Sequence, residues 1–171
     1  AVIALEYGDM QAETVITREA VNVEGSSIYL SEGERFTQEE LLYALLLESG
    51  NDAAVALAIA VAGSTDAFVQ LMNEKALSLG LTSTRFANPH GLSAEGHYTT
   101  AKELAAITAY ALRLDGFVKV ASTVSAKIEG DGHLPRYLMN HNKLLRSYEG
   151  LIGVKTGYTL AAGRCLVTAA R

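Results

Sequence analysis

The chain has 171 residues, 49% of them hydrophobic and 19% charged, with a formal net charge of −5. It is too apolar for a disordered chain and too charged for a membrane bundle, and it lacks the basic excess that nucleic-acid binding requires. The longest uncharged apolar run, Ala53 to Ala62, has ten residues, against the roughly 20 a spanning helix needs.

Ala1 to Tyr7 are good helix formers, closed by Gly8, which suits the position just past a helix end. No capping residue or methionine precedes them, so they read as the second half of a longer helix. No basic-then-apolar leader opens the chain. Three short β-type pieces are expected at Glu13 to Thr17, Ala20 to Val23 and Ser26 to Leu30, then a turn at Ser31-Glu32-Gly33-Glu34. Thr37 with Glu40 forms a capping box, which opens a helix through Leu47. That helix is apolar nearly all round and should be buried. Glu48 to Asp52 interrupts it, and a second apolar helix runs from Ala53 to Ala62.

A further helix is expected over Ser64 to Leu79, where Phe68, Leu71, Met72, Ala76 and Leu79 fall at helical spacing before Gly80. Residues 82 to 98 read as a long loop. Thr100 with Glu103 is a second capping box, for a helix to about Arg113. Val118 to Ile128 reads as extended. Leu151 to Thr159 and Arg164 to Ala170 form a hairpin around Leu160 to Gly163, and its second strand reads as one that stops at the chain end. The order predicts an α+β fold, with helices gathered around a mostly antiparallel sheet in one domain, 1–171.

Two triplets invite chemistry. Ser49-Gly50-Asn51 puts a hydroxyl and an amide between two greasy helices, where an unpartnered polar group costs about 1–3 kcal/mol. Alternatively, Ser49 and Asp52 are simply the caps that a helix break needs. Lys155-Thr156-Gly157 puts a cation, a hydroxyl and a glycine on a strand edge. That edge can take an extended peptide and grip its carboxylate, or the lysine only discourages edge-to-edge aggregation. Lys155 and Thr156 point to opposite faces of a flat strand, so both can serve only where the site borders the edge.

Together the triplets are two parts of the S-x-x-K, S-x-N, K-T-G signature of penicillin-recognising serine enzymes. No serine here has a lysine three positions later, and Thr99-x-x-Lys102 is better read as a helix start. The resemblance extends to Glu24-Gly25-Ser26-Ser27, Leu47 to Ala54, Phe86 to Leu92, Asn140 to Leu145 and Gly153 to Thr159. Over nearly its whole length the chain resembles the low-molecular-mass D-alanyl-D-alanine carboxypeptidases, the serine-type penicillin-binding proteins that trim peptidoglycan stem peptides.

The resemblance implies a transpeptidase or β-lactamase-like fold, here a partial catalytic domain. It places the missing serine and lysine just upstream of Ala1, so the 171 residues alone should be inactive. It implies acyl transfer to that serine, followed by hydrolysis. Ser49 would bridge the missing lysine and Lys155 and relay a proton to the leaving amine, and Asn51 would bind the substrate amide. Lys155 and Thr156 would hold the terminal carboxylate beside Gly157, and the backbone near Tyr158 would supply half of an oxyanion hole.

The partners implied are stem peptides ending in D-Ala-D-Ala and β-lactams, with no nucleic acid. The compartment is extracytoplasmic, with export and any membrane contact through segments outside this chain. No cofactor or metal is expected. Cys165 stands alone, and His90, His97, His133 and His141 lack zinc-ligand spacing. The histidines are assigned to loops and packing, Glu39, Glu40 and Glu48 to surface or capping, and Cys165 to a buried strand position; Arg164 is a weak candidate for carboxylate binding. A β-lactamase, a D,D-endopeptidase and a non-catalytic peptidoglycan-binding protein are the competing readings.

Overall fold

The computed structural model describes residues 1–131 and 134–171, so His133 lies outside the described residues. The elements in chain order are α1 (Val2–Tyr7), β1 (Glu13–Val15), α2 (Arg18–Val21), β2 (Arg35–Thr37), α3 (Gln38–Leu47), α4 (Asn51–Ala62) and α5 (Thr65–Ser78). They continue with α6 (Ala101–Ala111), α7 (Phe117–Ala121), β3 (Ser125–Ile128), β4 (Arg136–Met139), a 3-10 turn (Lys143–Arg146), β5 (Leu151–Thr159) and β6 (Gly163–Ala170).

The α3–α4 pair is the centre of the fold. Leu41, Leu42, Leu47, Ala53 and Leu57 are almost completely excluded from water, in one cluster with Phe36, Val120, Ala121 and Val154. Both helices are apolar on nearly every side, so neither has a face it can leave in solvent. Thr37 caps α3 as expected: its hydroxyl accepts from Glu40 N–H, while the Glu40 carboxylate accepts from Thr37 N–H at 2.9 Å. Ser64 caps α5.

The fold is α+β as expected, and among the described residues the antiparallel pairing occurs as three two-stranded sheets, β1–β2, β3–β4 and β5–β6. In the last, Lys155 lies opposite Val167 and Gly157 opposite Cys165.

Several local expectations are corrected. Residues 20 and 21 belong to helix α2, and Ser26 to Leu30 is an irregular segment whose backbone amides bond to a buried side chain instead of a neighbouring strand. Phe117–Ala121 is helical, because Phe117, Val120 and Ala121 bury one short face against α3 and β5. The box at Thr100 is only half formed. Its hydroxyl accepts from Glu103 N–H, but the Glu103 carboxylate turns to Ser83 N–H at 3.0 Å and to the Thr84 hydroxyl at 2.5 Å. Gly8 has φ −88°, so it is not a left-handed stop; an added Cβ would lie 2.4 Å from Gln38 Oε1 and 2.6 Å from the Ala4 carbonyl, and close packing demands the glycine. Cys165 is exposed.

Candidate active site

The break between α3 and α4 is set by Ser49, which has φ +59°. That left-handed region costs a non-glycine residue of order 1 kcal/mol or more, and it persists only where neighbours over-determine it. Here Gly50 N–H donates back to the Ala44 carbonyl at 3.3 Å, and Asn51 N–H donates to the Ser26 carbonyl at 2.8 Å. The backbone is thus fastened at both residues that follow the hydroxyl.

Asp52 does more than cap a helix break. Its carboxylate is 1% exposed and accepts from the Ser27 hydroxyl at 2.6 Å, from Ile28 N–H at 3.1 Å and from Leu30 N–H at 3.1 Å. A buried carboxylate is tolerable when its lone pairs are filled in this way. An acidic residue at the very edge of the apolar stretch 53–62 was the available sequence signal. Asn51 is also buried, and its amide nitrogen donates to the Glu24 carbonyl at 2.6 Å, committing one of its two donor hydrogens. Gly25 makes room for this. Its φ is +90°, and a Cβ there would lie 2.7 Å from the Asn51 nitrogen.

Lys155 approaches from β5. Its ammonium donates to the Ser49 hydroxyl and, at 2.9 Å, to the Thr156 carbonyl. Residues 106 positions apart therefore meet side chain to side chain. The lysine also lines an apolar cavity of about 240 Å³ together with Leu46, Ala54, Phe117, Val154 and Val167. Burial in that wall pushes the ammonium down to about 8 from the usual 10.5, because an apolar surround disfavours the charged form.

Thr156 contributes its carbonyl to this contact, and its side chain alternates to the other face of β5, so the facing problem raised by the strand period stands. At Gly157 an added Cβ would meet only Cys165 Cβ, at 3.8 Å. The chain's own packing therefore tolerates a side chain there, and the space stays open along the strand. Tyr158 is exposed, and the Thr159 hydroxyl accepts from Ser93 Oγ at 3.0 Å, tying the 82–98 loop to the end of β5. Of the expected site residues, the structure brings Ser49 and Lys155 into direct side-chain contact; Asn51 follows two positions after Ser49 with its amide given to Glu24, and Thr156, Gly157 and Tyr158 follow Lys155 on the same strand. Arg164 pairs with Tyr158 across the hairpin.

His90 and His97 sit in the 82–98 loop. Each Nδ1 accepts a backbone N–H, from Leu92 at 3.3 Å and from Ala87 at 3.1 Å. Burial lowers both imidazoles from their usual value. His141 lies 3.0 Å from a Glu48 carboxylate oxygen, and Lys119 pairs with Glu39.

The D-alanyl-D-alanine carboxypeptidase family model matches residues 6–171. The chain is 39% identical over 170 residues to D-alanyl-D-alanine carboxypeptidase DacF of Bacillus subtilis, covering 98% of this chain and 44% of that protein. It is 37% identical to DacB2 of Mycobacterium tuberculosis, covering 99% and 58%. Among solved structures, a D-alanyl-D-alanine carboxypeptidase of Mycobacterium tuberculosis superposes with a TM-score of 0.92 at 36% identity, covering 99% of this chain and 64% of the other. A mutant of the Streptomyces K15 DD-transpeptidase gives 0.90 at 30%, covering 99% and 74%. The chain spans about half the length of these two curated relatives.

Proposed function

The chain belongs to the D-alanyl-D-alanine carboxypeptidase family, and from that premise we propose that residues 1–171 form part of the catalytic domain of a serine D,D-carboxypeptidase. Its substrate is a peptidoglycan stem peptide ending in D-Ala-D-Ala, on the outer side of the cytoplasmic membrane. β-Lactams, which imitate that dipeptide, acylate the same site.

The observation that carries this reading is the contact of Lys155 with Ser49. A lysine near 8 holds a neutral fraction of about a tenth at pH 7. It can therefore exchange a proton with a hydroxyl, whereas an ordinary lysine would stay locked as a cation. The Ser49 hydroxyl accepts from Lys155 and has its own hydrogen to pass on, so it can relay a proton to the departing amine. In its charged form Lys155 is a withdrawn cation midway along β5, suited to a substrate carboxylate. That carboxylate would stabilise the ammonium and favour its charged form on binding. Asn51, whose amide has a second hydrogen beyond the one given to Glu24, orients the substrate amide, and the backbone at Tyr158 faces the developing oxyanion.

The nucleophilic serine and its lysine are assigned to an S-x-x-K motif outside these 171 residues. In the family pattern, that motif runs directly into α1. Ala1, Val2 and Ile3 line the same cavity as Lys155, so a segment entering α1 would start beside the relay.

The test uses the complete protein. A peptide ending in D-Ala-D-Ala should release D-alanine, and fluorescent penicillin should leave a long-lived adduct. Ser49→Ala and Lys155→Ala should each lower turnover by about 10²-fold or more. The 171-residue chain alone should not label, since losing the nucleophile of such a site costs on the order of 10⁶ in kcat. Undiminished turnover in both variants would refute the relay through Ser49 and Lys155, and rapid hydrolysis of penicillin would make the protein a β-lactamase.

A further inference from the structure

Glu48 stands immediately before Ser49, at the C-terminal cap of α3. A carboxylate is disfavoured there, because helix C-termini carry partial negative charge and favour cations. The last turn of α3 contains no basic residue. Yet both oxygens of this carboxylate are engaged. Oε1 accepts from Met139 N–H at 2.6 Å, and Oε2 lies 3.0 Å from His141 Nε2. The backbones join a second time, His141 N–H donating to the Leu47 carbonyl at 3.2 Å. The exit of β4 is thereby fastened to the two residues that precede Ser49.

The same corner leads to the lysine. Asn140 donates through its side-chain amide to the Ala121 carbonyl at 3.3 Å and the Thr123 carbonyl at 3.0 Å, and its oxygen accepts from Asn142 N–H at 2.9 Å. Asn142 in turn caps the 3-10 turn that precedes β5. One hydrogen-bonded corner therefore holds the Ser49 end of α3 and the approach to the strand that bears Lys155. The left-handed conformation of Ser49 needs such a restraint, since a serine released from it relaxes to commoner backbone regions.

We propose that Glu48, with His141 as its partner, is a positioning residue that holds Ser49 in the backbone conformation where its hydroxyl meets Lys155. Its carboxylate is taken up by β4 and His141 and does not touch the substrate. The importance of that placement for turnover rests on the relay proposed for Ser49 and Lys155; the placement itself does not.

Two readouts separate these layers. In the 171-residue chain, the side-chain NMR signal of Lys155 reports its titration midpoint. Glu48→Ala should move that midpoint from about 8 toward 10.5, because a released Ser49 admits water to the lysine. Loss of an anion by itself would lower the midpoint, so a rise reports lost burial. Glu48→Gln keeps an acceptor for Met139 N–H and should leave the midpoint within about half a unit of the parent. His141→Ala should act in the same direction as Glu48→Ala, more weakly, and serves where Glu48→Ala does not fold. In the complete protein, Glu48→Ala should lower kcat by about tenfold or more, at a KM changed less than about twofold, with most of the loss recovered by Glu48→Gln. An unmoved Lys155 midpoint in folded Glu48→Ala and His141→Ala overturns the positioning role. A midpoint that moves while the complete wild-type protein releases no D-alanine supports the positioning and refutes the relay instead.

Discussion

Raising the pH from 7 to 10.5 should stabilise this protein through Lys155. The ammonium is charged in both folded and unfolded chains at pH 7, and only the folded chain hides it. Its pKa is about 8 when folded and 10.5 when unfolded. Between these values the unfolded chain binds more protons, so stability rises with pH across that window and levels off above it. The gap between 10.5 and about 8, at 1.36 kcal/mol per pH unit, corresponds to about 3 kcal/mol as an upper value. Lys155→Met keeps the length of the stem, removes the charge, and forfeits the bond to Ser49, a loss of about 1 kcal/mol. At pH 7 the variant should therefore be more stable than the parent by about 2 kcal/mol, and near pH 10.5 the advantage should disappear. Urea unfolding at several pH values, parent beside variant, cancels the titration of tyrosines and other lysines common to both. Parallel stability curves between pH 8 and 10.5, or a Lys155 resonance that titrates near 10.5, would refute the burial argument.

Asp52→Ala should destabilise the chain by about 3 kcal/mol or more in chemical denaturation, since it strands the Ile28 and Leu30 amides inside the protein. Gly25→Ala combines a left-handed φ with a Cβ 2.7 Å from the Asn51 amide. It should cost about 1–3 kcal/mol and shift the Asn51 side-chain NMR signals, whereas Gly157→Ala, with only an ordinary contact, should leave folding nearly unchanged. Acid should loosen the 82–98 loop. His90 and His97 have folded values below the unfolded 6.5, so the unfolded chain binds the extra protons and stability falls as pH drops through 6.5. Protonation also converts each Nδ1 from acceptor to donor against a backbone N–H. Replacing both histidines by glutamine should flatten the stability curve between pH 7 and 5, and amide hydrogen exchange of Ala87 and Leu92 should report the parent loop opening.

The elements that could be read from residues alone are those whose cause is local. The capping box at Thr37, the apolar stretches on either side of Ser49, the helix that follows Ser64 and the terminal hairpin all depend on neighbours within a few positions. The two triplets were legible for a related reason, since polar groups in apolar surroundings need an explanation wherever they occur. What the chain order could not supply were the partners. The Ser26 to Leu30 segment looks like a strand by composition, but its amides are claimed by Asp52, more than twenty positions away. Phe117–Ala121 looks extended, but a buried face against α3 and β5 makes it a helix. Gly8 looks like a helix stop, and only the approach of Gln38 shows why a side chain cannot fit. Glu48 looks like a surface charge until β4 arrives to occupy it. Short-range propensity and patterning thus suffice for the main helices, the hairpin and the residue types of the site. That Lys155 reaches Ser49 and loses its proton more readily there follows only from the packed chain, because burial and the meeting of residues 106 positions apart have no local cause.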